Sequence, residues 1–198
     1  MVRHRIAFLL VSALCLAPIL SAETLTFQLD PKATTIEFTF GATLHTVDGT
    51  LRAKEGTIHI DPDSGTASGR IVLDATSART GNDRRDRKMH EKILESQRFP
   101  EMVFEVERLS GKLNPLGQSE IELHGTLEMH GTRRPIALPA TVFSSDGKTA
   151  SGTGTLILSY LDWGLADPSF FILRVEKEVR VTVKAVGRIS TQKNGNTD

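Results

Sequence analysis

The sequence predicts an all-β fold, a single antiparallel β-barrel of about eight strands with one short helix near residues 83–95. Three observations carry this. Apolar and polar residues alternate with period two over most of the chain, turn-forming clusters separate the alternating runs at short spacing, and only one segment breaks into a helical period. Closing the sheet on itself removes exposed strand edges.

Taken in order, residues 1–22 precede the alternation. Arg3, His4 and Arg5 form a basic region, residues 6–20 an apolar run, and Ser21-Ala22 supplies small residues before Glu23. This reads as a secretory signal peptide cleaved after Ala22, with Ala17 as the alternative. A run of about 15 residues broken by Pro18 is short for a membrane span, which needs roughly 20, so no permanent membrane anchor is expected. Cys15, the one cysteine of the chain, lies inside this segment behind Leu14, where a lipoprotein signal would carry a small residue. The mature chain is then cysteine-free and periplasmic or secreted, with no disulfide or thiolate chemistry.

The barrel domain is expected over residues 23–190. Ile36, Phe38 and Phe40 alternate with Thr35, Glu37 and Thr39; Ile58 and Ile60 with Thr57 and His59; Ile71 and Leu73 continue the pattern. Asp48-Gly49, Asp61-Pro62-Asp63-Ser64-Gly65 and Ser68-Gly69 between them are turn chemistry. The helix follows. Asn82 or Asp83 can cap it, Asp83 and Asp86 suit the positive end of its dipole, Met89, Ile93 and Leu94 share a stripe, and Pro100 stops continuation. Met102, Phe104 and Val106 then share one strand face; Ile121, Leu123, Leu127 and Met129 another; Ile136, Leu138, Ala140 and Val142 a third. Ser145-Asp146-Gly147-Lys148 is a hairpin turn, residues 154–160 a strand, and Val179 to Val186 the cleanest alternation in the chain. Residues 191–198 read as a flexible tail.

Composition narrows the function. The 198 residues are 39% hydrophobic with 24 basic and 24 acidic side chains. A net charge of zero argues against nucleic acid, whose phosphates call for a basic stripe. Glu122, His124, Glu128 and His130 share a face, but His124 and His130 would stand roughly 20 Å apart along a strand, beyond the reach of one ion. No metal or cofactor is expected. The chain has no Gly-x-Ser-x-Gly elbow and no phosphate-cradling glycine loop. Asp83 and Asp86 interleave with Arg84, Arg85, Arg87 and Lys88, a pattern that more often makes surface ion pairs than an acid/base pair. The arginines are also suited to a lipid phosphate at a cavity mouth. Trp163, Phe170 and Phe171 interrupt the last alternations; they suit core closure or the rim of an apolar pocket.

Thr80-Gly81 with Arg85-Asp86, Phe99-Pro100 with Phe104, Gly125-Thr126-Leu127, His130-Gly131 leading to Arg134-Pro135-Ile136-Ala137-Leu138, Asp162-Trp163-Gly164-Leu165 and the closing valine strand together resemble the YceI family. The resemblance implies an exported, lipocalin-like antiparallel β-barrel whose apolar cavity, in some members, binds a polyisoprenoid such as a polyprenyl phosphate or a quinone tail, with no established enzyme activity. The segment from Gly41 to Gly49 lacks the family's usual lysine before His45, and Thr132-Arg133 departs from the usual order before Arg134-Pro135.

The expected function is therefore an exported binding protein for an isoprenoid or other long-chain amphiphile. Phe38, Phe40, Met102, Phe104, Leu127, Met129, Trp163 and Phe170 are the expected cavity lining, and Arg84 and Arg85 the expected head-group contacts. Two rivals stand beside it: a solid-core interaction or stress-response module, and an enzyme using Asp83, Asp86 or His90 as acid or base. A homodimer is left open.

Overall fold

The structure is a computed structural model that describes residues 23–169 and 174–193; the expected signal segment, Phe170 and Phe171 lie outside the described residues. Its elements are β1 (Glu23–Leu29), β2 (Thr35–Ala42), β3 (His45–Ile60), β4 (Thr66–Arg79), α1 (Asp83–Lys88), β5 (Glu101–Gly111), β6 (Gly117–Met129), β7 (Thr132–Ser144), β8 (Thr149–Ser159) and β9 (Glu178–Lys193).

Nine strands fill eight positions of a closed antiparallel barrel. The meander from β3 to β9 pairs neighbour with neighbour, and the slot between β9 and β3 is shared by β1 and β2. These two run in the same direction and are in effect one strand interrupted at Asp30–Thr34, where the Asp30 N–H donates to Val186 O and the Val186 N–H to Thr34 Oγ1. β9 continues to Lys193, opposite Glu23, so residues 191–193 belong to the sheet rather than to the expected flexible tail. The pairing with β1 gives these residues backbone partners that composition does not reveal.

Alternation positions the side chains, and one irregularity redirects it. In β3 the buried residues are odd-numbered through Val47, Leu51 and Ala53, then even-numbered through Gly56, Ile58 and Ile60, because a bulge falls between Ala53 and Glu55. The strand stays amphipathic through the bend.

The two ends of the barrel differ. At the end holding both described termini and the β3–β4, β5–β6 and β7–β8 turns, Ile58, Ile60, Val106, Leu109 and Ile121 pack into a filled core. At the opposite end, inward-pointing Phe38, Met102, Leu156, Leu158 and Val181 are only half-buried. Side chains that face inward and still carry accessible surface mark a hollow. No helix among the described residues is long and apolar enough to cross a membrane.

Candidate functional site

The hollow half is an apolar cavity of about 660 Å³, within the roughly 300–1,000 Å³ of small-molecule sites. The barrel is therefore not the solid-core module considered from sequence. Six expected lining residues, Phe38, Phe40, Met102, Phe104, Leu127 and Met129, all face it. Trp163 does not. It is buried in the wall, with its Nε1–H donating to Leu127 O at 3.1 Å, so the indole closes the core beside the cavity. Of the two roles its sequence neighbourhood offers, core closure and pocket rim, the satisfied indole N–H fits the first, so Trp163 is not one of the expected lining residues.

The helical segment closes one side of the mouth. Asn82 caps α1 by accepting from the Arg85 N–H at 3.0 Å. After Lys88 the chain widens into a single π turn, Met89–Ile93, instead of running as an α-helix to residue 95. Met89, Ile93 and Leu94 turn toward the cavity as their stripe predicts.

Three anchors hold this segment down. Asp86 is 6% exposed and accepts from the Thr80 N–H at 2.9 Å and from the Thr80 hydroxyl. It is a buried structural acceptor and not the surface ion-pair partner expected from its basic neighbours. His90 Nδ1 hydrogen-bonds the Ser96 hydroxyl at 2.9 Å, and its Nε2 lies 2.8 Å from Arg79 NH1 and 2.9 Å from Ala78 O. Finally His130 Nε2 donates to Glu95 Oε2 at 2.7 Å, with the His130 and Phe99 rings 4.4 Å apart. Glu95 (φ 44°) and His130 (φ 52°) both sit in the left-handed region. Such strain persists where the surroundings over-determine it, and here each is fixed by the other.

Charge at the mouth is one-sided. Arg84, Arg85, Lys88 and Arg174 border the cavity, and no Asp or Glu does so among the described residues. Arg85 is partly committed, giving its Nε–H to Thr80 Oγ1 at 2.7 Å and an NH2 proton to Thr80 O at 2.9 Å. The side chains of Arg84, Lys88 and Arg174 have no acidic partner among the described residues. Lys88 and Arg174 are not among the head-group contacts expected from sequence: Lys88 reads there as one of a run of surface ion-pair partners, and Arg174 is brought to the mouth by the Ala42↔Val175 bridge and three Thr43–Arg174 hydrogen bonds.

Tyr160, another lining residue, has a buried hydroxyl with no partner in good hydrogen-bonding geometry. Burial, with the nearby Asp167 charge as a smaller cause, holds this phenol above its usual 10. The histidines of β6 are dispersed. His124 lies outside the barrel beside Glu122 and Ser110, while His130 serves the Glu95 clamp, so the two do not meet.

A family model for the YceI-like domain matches residues 27–187. UPF0312 proteins of Pseudomonas savastanoi pv. phaseolicola and Pseudomonas syringae pv. syringae are 28% identical over 130 residues, covering 62% of this chain; the match spans 65% of the length of those relatives. Among solved structures, BcnA of Burkholderia cenocepacia aligns with a TM-score of 0.65 at 16% identity, covering 80% of this chain and 98% of that one. A polyisoprenoid-binding domain from Saccharophagus degradans implicated in plant cell wall breakdown aligns at 0.61 and 18%, covering 86% and 99%. The YceI protein of Campylobacter jejuni aligns at 0.59 and 18%, covering 73% and 86%. At these identities the likeness to the solved structures is one of fold.

Proposed function

The chain belongs to the YceI-like domain family, and from that premise we propose that it is an exported, non-enzymatic carrier of a long-chain amphiphile with an anionic head group. The observation that carries the reading is the pairing of an apolar 660 Å³ cavity with a mouth bordered by four cations and no acid among the described residues. The solved structures of like fold include a polyisoprenoid-binding domain, which supports a chain of that class.

The two halves of such a ligand have separate physical partners. About ten buried methylenes contribute roughly 8 kcal/mol gross, before the cost of ordering the chain. The head group adds charge-assisted contacts from Arg84, Lys88 and Arg174, with Arg85 as an anchored fourth cation. This favours a polyprenyl or alkyl phosphate over a neutral quinone, whose head would leave those cations unmatched. Export rests on the expected signal in residues 1–22. A binding role agrees with the commitment of two of the three residues weighed for catalysis, since Asp86 and His90 both hold the helical segment in place.

Isothermal titration of farnesyl phosphate against farnesol tests this at two salt concentrations. The phosphate binds more tightly, by about tenfold at low salt, and the margin shrinks as salt screens the exposed cations. Equal affinities at low salt would overturn the anionic assignment; failure of both to bind would overturn the carrier reading.

A further inference from the structure

The barrel wall is not uniformly hydrogen-bonded. β7 pairs with β6 along its whole length, from Met129↔Thr132 to Gly117↔Ser144, and β8 pairs with β9 from Thr149 to Ser159. Between β7 and β8 the ladder covers only Ala140↔Gly154 through Phe143↔Ser151 and then stops. Extended in the same register, it would have joined Leu138 to Leu156, Ala137 to Ile157 and Ile136 to Leu158; none of these is a pair among the described residues. The unpaired stretch lies in the hollow half of the barrel.

The cause is written in the sequence. Pro135 and Pro139 lie in this part of β7. Because the β6 ladder runs unbroken through both, each proline occupies a position whose missing N–H would have pointed to β8. The edge facing β8 has lost two donors, so the strands cannot zip there. Ile136 and Leu138 on one side and Leu156 and Leu158 on the other line the cavity, and Ile157 is exposed outside. At the mouth end the gap is strapped by Arg134 Nε–H donating to Asp162 O at 3.1 Å. The seam is thus held by apolar side chains between a closed ladder and one polar strap.

We propose that this seam is a lateral portal, a slit that takes the apolar chain of an amphiphile sideways into the cavity while its charged head stays at the mouth. The inference rests on the carrier reading above. A charged head cannot cross the apolar interior without losing its hydration. A chain slipping between Ile136, Leu138, Leu156 and Leu158 exchanges one apolar contact for another, and no backbone ladder has to break. Where neighbouring strands are laddered, parting them would expose paired amides.

A cross-link tests the portal reversibly, because the chain after residue 22 contains no native cysteine. In the double variant Ala137→Cys/Ile157→Cys, oxidation or a short dithiol-reactive linker pins the seam from outside. The probe is cis-parinaric acid, a fluorescent polyene with a carboxylate head, followed by stopped flow. Pinning slows both association and release by about tenfold or more and leaves the equilibrium affinity unchanged, and cleaving the link restores both rates. Phe143→Cys/Ser151→Cys, linked across the part already zipped, leaves the rates as they were. Full cross-linking with unchanged rates would overturn the portal and spare the carrier reading. A wild-type protein that does not bind the probe would overturn the carrier reading and the portal with it. A measurement free of ligand adds a second arm: the Ile157 amide, facing the seam, exchanges with solvent faster than those of Leu156 and Leu158, which face β9. Equal protection of all three would also overturn the proposal.

Discussion

Val181→Trp narrows the cavity from the middle of β9. Val181 points inward, paired with Phe38 on β2 and Leu156 on β8, and lines the cavity while only half-buried, so it borders empty space instead of packed neighbours. The indole adds about seven heavy atoms and displaces roughly four ligand methylenes; at ~0.8 kcal/mol each that is ~3 kcal/mol, or about 150-fold in affinity. The assay is titration of alkyl phosphates of increasing chain length against both proteins. In the wild type, affinity rises with each methylene until the cavity is full. In the variant it levels off earlier, by about four methylenes, while short chains bind alike. The unliganded variant is at least as stable to urea as the wild type, because the new side chain fills a void. Identical chain-length dependence in the two proteins would refute the placement of the chain inside the barrel.

Other expectations concern the frame around the mouth. Asp86→Asn, which exchanges the buried acceptor at Thr80 for an amide, destabilises by about 1–3 kcal/mol in urea melts and raises amide exchange most in residues 80–93. Gly131→Ala strains a φ of 73° and places a Cβ 3.0 Å from the Phe99 ring, costing about 1–2 kcal/mol and loosening the Glu95–His130 clamp. Stability falls in acid. The carboxyls of Glu105 (beside Arg133), Asp61 (bonded to Ser64), Asp146 (bonded to the Thr149 and Lys148 amides) and Asp167 (bonded to Ser169) are all held below their ordinary values. Folded-state values below the unfolded ones give a contribution present in full above the unfolded range, near pH 4–5, and lost as pH drops through the folded values. Urea midpoints constant from pH 6 to 8 and declining below about pH 4 are expected; a flat profile into strong acid would contradict it.

The barrel was legible because alternation is a one-dimensional record of a two-faced strand. Phe38 and Phe40, Met102 and Phe104, and Leu127 and Met129 face the cavity that their periodicity required of an inward face. What periodicity does not record is whether an inward face meets another side chain or empty space, so the filled and hollow halves could not be told apart. Features set by contacts outside the alternation were equally hidden. Asp86 looks like a surface charge until Thr80 is seen above it, Trp163 looks like a rim aromatic until Leu127 O accepts its N–H, and Arg174 joins the mouth through pairing with Thr43. Pro135 and Pro139 were visible throughout, yet the open seam they impose shows only when the register on both sides of β7 is known.

Under the proposed function, the hollow half of the barrel holds an anionic long-chain amphiphile in its native setting. Native mass spectrometry of the protein released gently from the cells that make it tests this most directly. The expected result is an adduct that survives desalting, is removed by organic extraction, and yields an extracted species that ionises as a phosphate-bearing lipid. A single unliganded mass, or an adduct that extracts as a neutral lipid, would contradict it.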